Sequence, residues 1–524
     1  MPASHPVLSC SEARVWEARQ LPDEAAEWTA MQAAGRKVAL AVLDDYREIG
    51  GLPPQARILV LAGKGHNGGD ALLAARTLLQ ECPAARVDVM LLFDESQLRP
   101  LARRSLDALR ESAGTRFAAV TPEALHPGTA GNGSASADSP APAGGTSPSW
   151  DLCLDGIFGF QFRPPLEPSL AAVITQANAH SGIRFRAAVD LPSGLGESAG
   201  SVVFRADFTY ATGIVKGPVV DPIHAPAVGR LRYLDLGFFA TDAKPETKTR
   251  VLVPGILDPI RSLRTPLSDK RTFGHLLMVG GSHSYPGAIL MAVRAALRSG
   301  AGLVTVCVPE RFAAEFALGL PEAMWVGCPV NASGGLATAG LSRIAEKLHR
   351  AGALLVGPGL GADPDTIALA TRLTAEAKVP VVLDADALRP EVLAGLVGRP
   401  FVATPHAGEW QRIAPVLQSA GSSLPGPGIL VLKGPLTRVT DGRVACLSPF
   451  GGPVLARGGS GDILAGLIGG LLAQHPEDPF LAACRGVVWH GRAADRLAQE
   501  RGQVAVETSQ LLDQLGPALA PSTW

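Results

Sequence analysis

At 524 residues the chain exceeds what one ordinary hydrophobic core holds, so two domains are expected. Hydrophobic residues make up 47% and charged residues 18%, which excludes a disordered or fibrous chain. Basic residues (47) nearly cancel acidic ones (48), so no global field draws nucleic acid or an anionic membrane, and a phosphate-bearing ligand has to be held by local devices. Seven scattered cysteines without a CxxC predict reduced thiols rather than a disulfide frame or a zinc site. No apolar run reaches the roughly 18 residues of a membrane span, and the start MPASHPVLSCSEAR lacks a signal-peptide pattern. A cytoplasmic protein is expected.

In chain order, the stretch from about Ser11 to Tyr46 has helical spacing, with Ala and Leu on one face and charges on the other. Arg57-Ile58-Leu59-Val60-Leu61 predicts a short strand ending at Gly63, and Asp70 to Leu79 predicts a helix. Between them lies Gly63-Lys64-Gly65-His66-Asn67-Gly68-Gly69-Asp70, which contains GxGxxG, with Asp88 about twenty residues beyond Gly68. A dinucleotide-binding turn is one reading. Against it, Asp88 opens its strand, whereas a ribose-binding acid closes one, and the turn is more polar than a pyrophosphate requires. The plainer reading is a glycine turn capped by Asp70.

Further strands are predicted over Val87–Phe93, Leu152–Asp155 and Ala187–Asp190. Strands alternating with helices imply a largely parallel sheet with sites at the strands' carboxyl ends. Asp155-Gly156-Ile157-Phe158-Gly159-Phe160, Arg163-Pro164-Pro165 and Asp190-Leu191-Pro192-Ser193-Gly194 fall at or near such ends. Two carboxylates with the oxygens of Asn67 and Ser193 can converge on a hard cation; singly, Asp155 and Asp190 serve as turn residues or caps. Residues 127–149 are mostly Gly, Ser, Ala, Pro and Thr and predict a disordered surface insertion. The polar break after residue 240 places a domain over 1–240, a linker over 241–250 and a second domain over 251–524. The halves are not copies of one another, so the chain is a fusion.

The second half opens with a strand at His275–Val279, followed by strands at Leu303–Val308, Ala353–Gly357, Pro380–Asp384 and Ile429–Lys433. Gly357-Pro358-Gly359-Leu360-Gly361 suits close approach of backbone to a ligand. Asp384 and Asp386 share one strand end, an arrangement that holds Mg²⁺ through waters. His406 and Glu409 share another, where a lone histidine is as readily structural. Lys433-Gly434-Pro435-Leu436-Thr437 offers an ammonium and a hydroxyl to nucleotide phosphates; the bland alternative is a solvated lysine before a turn. Finally Gly458-Gly459-Ser460-Gly461-Asp462 runs into an apolar stretch that predicts a buried helix. The free N–H groups of its first turn stabilise negative charge by roughly 0.3–1 kcal/mol, and Asp462 beside them can take a proton from an attacking hydroxyl, or can simply cap the helix.

Taken in order, GGSHSYPGA (280–288), RSGAGLVTV (298–306), GPGLG (357–361), LDADAL (383–388), TPHAGE (404–409), LKG (432–434) and GGSGDILAG (458–466) are specific. With GKGHNGGD (63–70), DGIFGF (155–160) and DLPSG (190–194), they resemble the bifunctional NAD(P)H-hydrate repair enzymes, over nearly the whole chain outside the insertion. The resemblance implies two three-layer α/β/α domains, a Rossmann-like epimerase of the YjeF N-terminal type and a ribokinase-like dehydratase. The first would interconvert R and S hydrates of NADH or NADPH, and the second would dehydrate the S form with ADP or ATP and Mg²⁺. It implies potassium at Asn67, Asp155 and Ser193. Epimerase contacts are implied at His66, Asn67, Gly68, Gly69 and Asp70, at Gly159, Phe160, Gln161, Phe162, Arg163, Pro164 and Pro165, and at Asp190, the acid–base group. In the dehydratase it implies hydrate contacts at Ala288, Gly359, His406 and Asp462, with Asp462 as base. Nucleotide contacts are implied at Lys433, Gly434, Pro435, Leu436, Thr437 and Gly461. A homo-oligomer that binds neither nucleic acid nor membrane is also expected.

Some positions depart from the family pattern. His66 stands where an Asn is usual, Ala71 where Gly is common, Gln161 and Phe162 replace a glycine-richer loop, and Arg457 replaces a small hydroxyl residue. Two other readings compete: a ribokinase-like kinase of a vitamin-precursor alcohol, and a working dehydratase with a non-catalytic N-terminal binding module.

Overall fold

The computed structural model describes residues 1–126, 149–240, 245–396, 398–418 and 427–521. All but the last residue of the expected insertion, and residues 241–244 of the expected linker, lie outside the described residues. The described residues form two compact units: Pro6–Glu246, and Thr247 to residue 521 together with Met1–His5.

In the first unit a seven-stranded parallel sheet runs in the order Phe117–Ala119, Arg86–Leu91, Arg57–Ala62, Leu152–Gly156, Arg186–Val189, Phe208–Thr212, Arg230–Leu234. The strands are apolar on both faces because helices cover both. Ile58, Val60 and Ala62 join a core with Val38, Val42 and Leu72, whereas the alternate Leu59 and Leu61 pack with Leu170 and Ile174. Where one N-terminal helix was expected there are two, Cys10–Gln20 and Glu24–Tyr46. Pro22 lacks an N–H and holds its predecessor out of the helical region, and Asp23 recaps the chain by accepting from the Ala26 N–H.

The second unit holds a sheet in the order Met324–Cys328, Leu303–Pro309, His275–Val279, Ala353–Val356, Val381–Leu383, Phe401–Ala403, Gly428–Leu432, Thr437–Thr440, Ala445–Ser448, Thr249–Leu252. It is parallel up to Gly428–Leu432; after the hairpin at Lys433–Leu436, Thr437–Thr440 runs antiparallel to both its neighbours, and Thr249–Leu252 pairs parallel with Ala445–Ser448. The helix Ser460–Gln474 is buried from Ile463 to Ala473. It packs on Pro286–Arg298 so closely that a Cβ on Gly466 would lie 2.1 Å from the Ala292 carbonyl oxygen. That contact requires glycine. Among the described residues no helix is long and apolar enough to cross a membrane.

Candidate active sites

In the first unit the strand Arg57–Ala62 turns through Gly63 into the helix His66–Glu81. A Cβ at Gly63 would meet the Ile157 carbonyl oxygen at 1.9 Å, and one at Gly68 the Gly63 carbonyl oxygen at 2.1 Å, so the glycines permit backbone on backbone. The helix starts four residues earlier than its spacing predicted, which corrects the cap reading. Gly65 is the N-cap, and Asp70 is the fifth helical residue. Its carboxyl is raised well above the usual range by burial and by Asp190 and Glu17, and its Oδ1 is buried without a partner. Asp88 does not serve a ribose either: it is the third residue of Arg86–Leu91 and accepts from Arg57 Nε (2.6 Å) and Trp150 Nε1 (2.7 Å).

Asp155, Ser193 and Asn67 converge on the backbone of Phe158. Asp155 Oδ1 accepts from Ser193 Oγ (2.5 Å), its Oδ2 from the Ser193 N–H (2.7 Å), and Ser193 Oγ from the Phe158 N–H (2.9 Å). Asn67 Nδ2 donates to the Phe158 carbonyl (2.9 Å), which leaves Asn67 Oδ1 buried and unpartnered. Burial pushes the Asp155 carboxyl up to about 6, against the lowering effect of its Ser193 bonds. An orphaned buried amide oxygen costs about 1–3 kcal/mol, and with Ser193 Oγ and the Asp155 carboxylate it suits a hard cation.

Beside this cluster opens a cavity of about 440 Å³. His66, Asn67, Asp70, Asp190, Pro165 and the loop from Gly159 to Arg163 line it; Gly68, Gly69 and Pro164 do not. Asp190 follows the strand Arg186–Val189 in a left-handed conformation (φ 67°), which costs a non-glycine residue about 1–2 kcal/mol. Its Oδ1 accepts from Lys216 Nζ at 2.6 Å, and Glu17 stands 3.7 Å from the same ammonium. Burial alone would lower the Lys216 pKa, but Asp190 and Glu17 raise it, so the lysine stays charged. Burial lifts Glu17 to about 7 despite Lys216. The wall is thus a fixed cation among three carboxyls, two of which hold protons readily. Lys216 and Glu17 escaped the sequence reading. The available signal was Val215-Lys216-Gly217-Pro218, which shares Lys-Gly-Pro after an aliphatic residue with Leu432-Lys433-Gly434-Pro435.

In the second unit Gly459 (φ 91°) is the N-cap of Ser460–Gln474, and a Cβ there would strike Met291 Sδ at 2.4 Å. Asp462 is the third helical residue and makes no capping bond, so the cap alternative fails. Its carboxyl is pushed up to about 7 by burial and by Asp384, against the lowering effect of Lys433. Lys433 Nζ lies 3.0 Å from Asp384 Oδ1, which also accepts from Thr404 Oγ1 at 2.6 Å. A Cβ on Gly461 would sit 3.1 Å from Lys433 Nζ, so the glycine turn and the lysine face one another. Lys433 is part-buried and paired, not a solvated lysine.

Gly359 (φ 64°) sits against Ala288, whose Cβ would be 3.1 Å from a Cβ at 359. Asp386 Oδ2 accepts the Gly361 N–H (3.0 Å). His406 has the structural role considered for it. Its Nδ1 accepts the Gly408 N–H (3.0 Å) at the start of Ala407–Gln418, and that bond leaves the proton on the exposed Nε2. Arg457, which replaces the small hydroxyl residue, is tied to backbone: its Nη2 donates to the carbonyls of Gln503 (2.9 Å) and Val504 (2.8 Å). A further buried group, His490 in Pro479–Arg501, is held neutral (about 4) by burial and by Lys433.

Comparison with known proteins follows the same division. Residues 28–217 match the family model described as YjeF-related protein N-terminus, and residues 276–517 match that of NAD(P)H-hydrate dehydratase. The chain is 35% identical to the bifunctional NAD(P)H-hydrate repair enzyme Nnr of Gloeobacter violaceus, over 94% of this chain and 93% of that one. It is 35% identical to the Nnr of Moorella thermoacetica, over 93% and 91%. Among solved structures, the ADP/ATP-dependent NAD(P)H-hydrate dehydratase from Bacillus subtilis, co-crystallised with ATP and Mg²⁺, shares 29% identity over 49% of this chain and 92% of its own, with a TM-score of 0.40.

Proposed function

The chain belongs to the bifunctional NAD(P)H-hydrate repair enzymes, and from that membership we propose how its two sites share the reaction. The epimerase occupies the expected 1–240 less its first five residues, which fall in the second compact unit, and the dehydratase occupies 251–524 of a cytoplasmic homo-oligomer. The observation that carries the dehydratase mechanism is Asp462: an uncapped, half-charged carboxyl in the first turn of a buried helix, facing the Lys433–Asp384 pair.

Asp462 takes the proton of the hydrate's hydroxyl as that oxygen attacks the terminal phosphorus of ADP or ATP. The P–O bond to the shorter nucleotide breaks, and the first-turn N–H groups of Gly461 and its neighbours, with Lys433, hold the moving charge. Gly434, Pro435, Leu436 and Thr437 border the nucleotide, and Ala288, Gly359 and His406 border the hydrate. Ring-nitrogen electrons then expel phosphate, a far better leaving group than hydroxide. Loss of a proton from the adjacent ring carbon restores the dihydropyridine. Asp384 and Asp386 would hold Mg²⁺, which neutralises phosphate charge when bound.

In the epimerase, Asp190 acts as acid–base group, with Lys216 fixing its orientation and Glu17 and Asp70 storing protons. Asn67, Asp155 and Ser193 would hold K⁺, which ties the Phe158 loop in place. His66 Nε2 lies 3.6 Å from Glu27, and Asp190 keeps its bond to Lys216 beside it in the cavity lining. The test is recovery of NADH absorbance from mixed R and S hydrate with ADP, Mg²⁺ and K⁺. We expect full conversion, faster than spontaneous epimerisation. Recovery of the S fraction alone would remove the epimerase, and no recovery with either nucleotide would remove the dehydratase.

A further inference from the structure

The N-terminal cavity is lined by charges of both signs. Glu17 and Asp190 stand beside Lys216, with Asp70 in the same lining. Phe93, Lys64 and Arg99 also line it, and among the described residues neither Lys64 nor Arg99 is paired with a carboxylate. The Arg99 N–H donates to the Lys64 carbonyl (2.9 Å), and Lys64 Nζ lies 5.0 Å over the Phe93 ring, so the three residues form one tied patch. Arg99 is also the N-cap of the helix Pro100–Ala113 and supplies no side-chain cap, so its guanidinium is not spent on the helix.

The patch sits at a telling place in the sheet. Arg57–Ala62 and Arg86–Leu91 are neighbouring parallel strands, and Lys64 and Phe93 follow their carboxyl ends. In dinucleotide-binding α/β sheets, the segment after the second strand meets the adenosine ribose. An acid there accepts the 2′-hydroxyl, and an arginine takes a 2′-phosphate. Every acid of this segment is turned to other work. Asp88 is held by Arg57 and Trp150, Asp94 Oδ1 accepts from the Ser96 N–H and Oγ, and Glu95 grips Arg110 through both oxygens. None of the three lines the cavity. The carboxylate Glu167 lines it from the N-cap of another helix, Pro168–Ala179.

We propose that Lys64 and Arg99, with Phe93 beneath, form a subsite for the adenosine 2′-phosphate, so that the epimerase prefers NADPH hydrate to NADH hydrate. The inference rests on the reading of this cavity as the epimerase site. A dianionic phosphate would meet the charge of both cations, whereas a 2′-hydroxyl is offered no carboxylate by the segment after the second strand.

The test is epimerisation of purified R hydrate without added nucleotide, so that the dehydratase is idle, followed by chromatographic separation of R and S. Wild type is expected to show kcat/KM at least tenfold higher for NADPH hydrate. The double variant Lys64→Met/Arg99→Gln should lose that advantage, with the value for NADH hydrate changed less than threefold and Arg99→Lys keeping part of the preference. Dehydration of S NADH hydrate by the same variants checks folding. Equal rates for the two hydrates in wild type, or equal losses for both in the variants, overturn the subsite and leave the epimerase standing. A wild type that accelerates neither hydrate overturns the epimerase reading and the subsite with it.

Discussion

Two lysines, each in an aliphatic-Lys-Gly-Pro context, meet carboxylates in opposite ways. In Val215-Lys216-Gly217-Pro218 the ammonium is sealed, 1% exposed, and bonded to Asp190 at 2.6 Å with Glu17 behind it. In Leu432-Lys433-Gly434-Pro435 the ammonium keeps 22% exposure, lies 3.0 Å from Asp384, and has Glu409 and Asp462 as further acidic neighbours. In both units a residue with positive φ stands at the acid, Asp190 itself in one and Ala385, just after Asp384, in the other. The sealed pair holds a charge still, which suits proton transfer to a ring carbon's substituent. The open pair leaves donors for a ligand, which suits phosphoryl transfer. Burial, not residue type, separates the two roles.

The largest expected effect tests the open site. Asp462→Asn should lower dehydration by about 10³-fold or more while epimerisation stays within twofold, as read by NADH absorbance and by R/S separation. A variant with a tenth of the wild-type rate would remove Asp462 as the base.

Next, the two lysines should fail differently. Lys216→Met should cost epimerisation about 10²-fold with little change in KM, whereas Lys433→Met should raise the nucleotide KM about tenfold or more and spare epimerisation. If both changes act on KM alone, the distinction between sealed and open pairs is wrong.

The pH dependence sharpens the same contrast. Asp462 must be ionised to act, and its carboxyl sits at about 7, so kcat/KM for dehydration should rise with pH and level off above that value. For stability the sign is opposite. Asp462 and Glu17 are raised in the folded chain, so the stabilisation of their protonated forms is present below their free values near 4 and is lost as pH rises through about 7. Asp462→Asn should therefore gain in urea midpoint over wild type at pH 8 and show no gain at pH 4.

The smallest effect concerns Arg457. It clamps two carbonyls rather than a ligand, so Arg457→Ala should change the nucleotide KM less than threefold and cost about 1 kcal/mol of stability in urea. A tenfold KM change would show that Arg457 contacts the nucleotide as well.

Much of this was legible beforehand. Strand positions could be read because runs such as Leu276-Leu277-Met278-Val279 are apolar on both faces, as strands covered by helices on either side must be. The glycine motifs were legible because Gly63, Gly68 and Gly466 each face backbone at distances no side chain tolerates. Less legible were helix starts. Asp70 looked like a cap, yet Gly65 begins the helix because the turn His66–Gly69 is itself helical.

By itself the sequence determined the strand–helix alternation, the glycine-locked turns and the placing of acids at strand ends, since all three depend on local pattern and on steric limits of single residues. Only the tertiary structure decided the charges. Asp190 and Lys216 are 26 residues apart and Asp384 and Lys433 are 49 apart, and Glu17 arrives from an N-terminal helix. Which strand ends become neighbours, and how much water reaches them, follows from sheet order and packing. The half-charged state of Asp462 and the fixed charge of Lys216 exist only once low-polarity surroundings make their pairing strong.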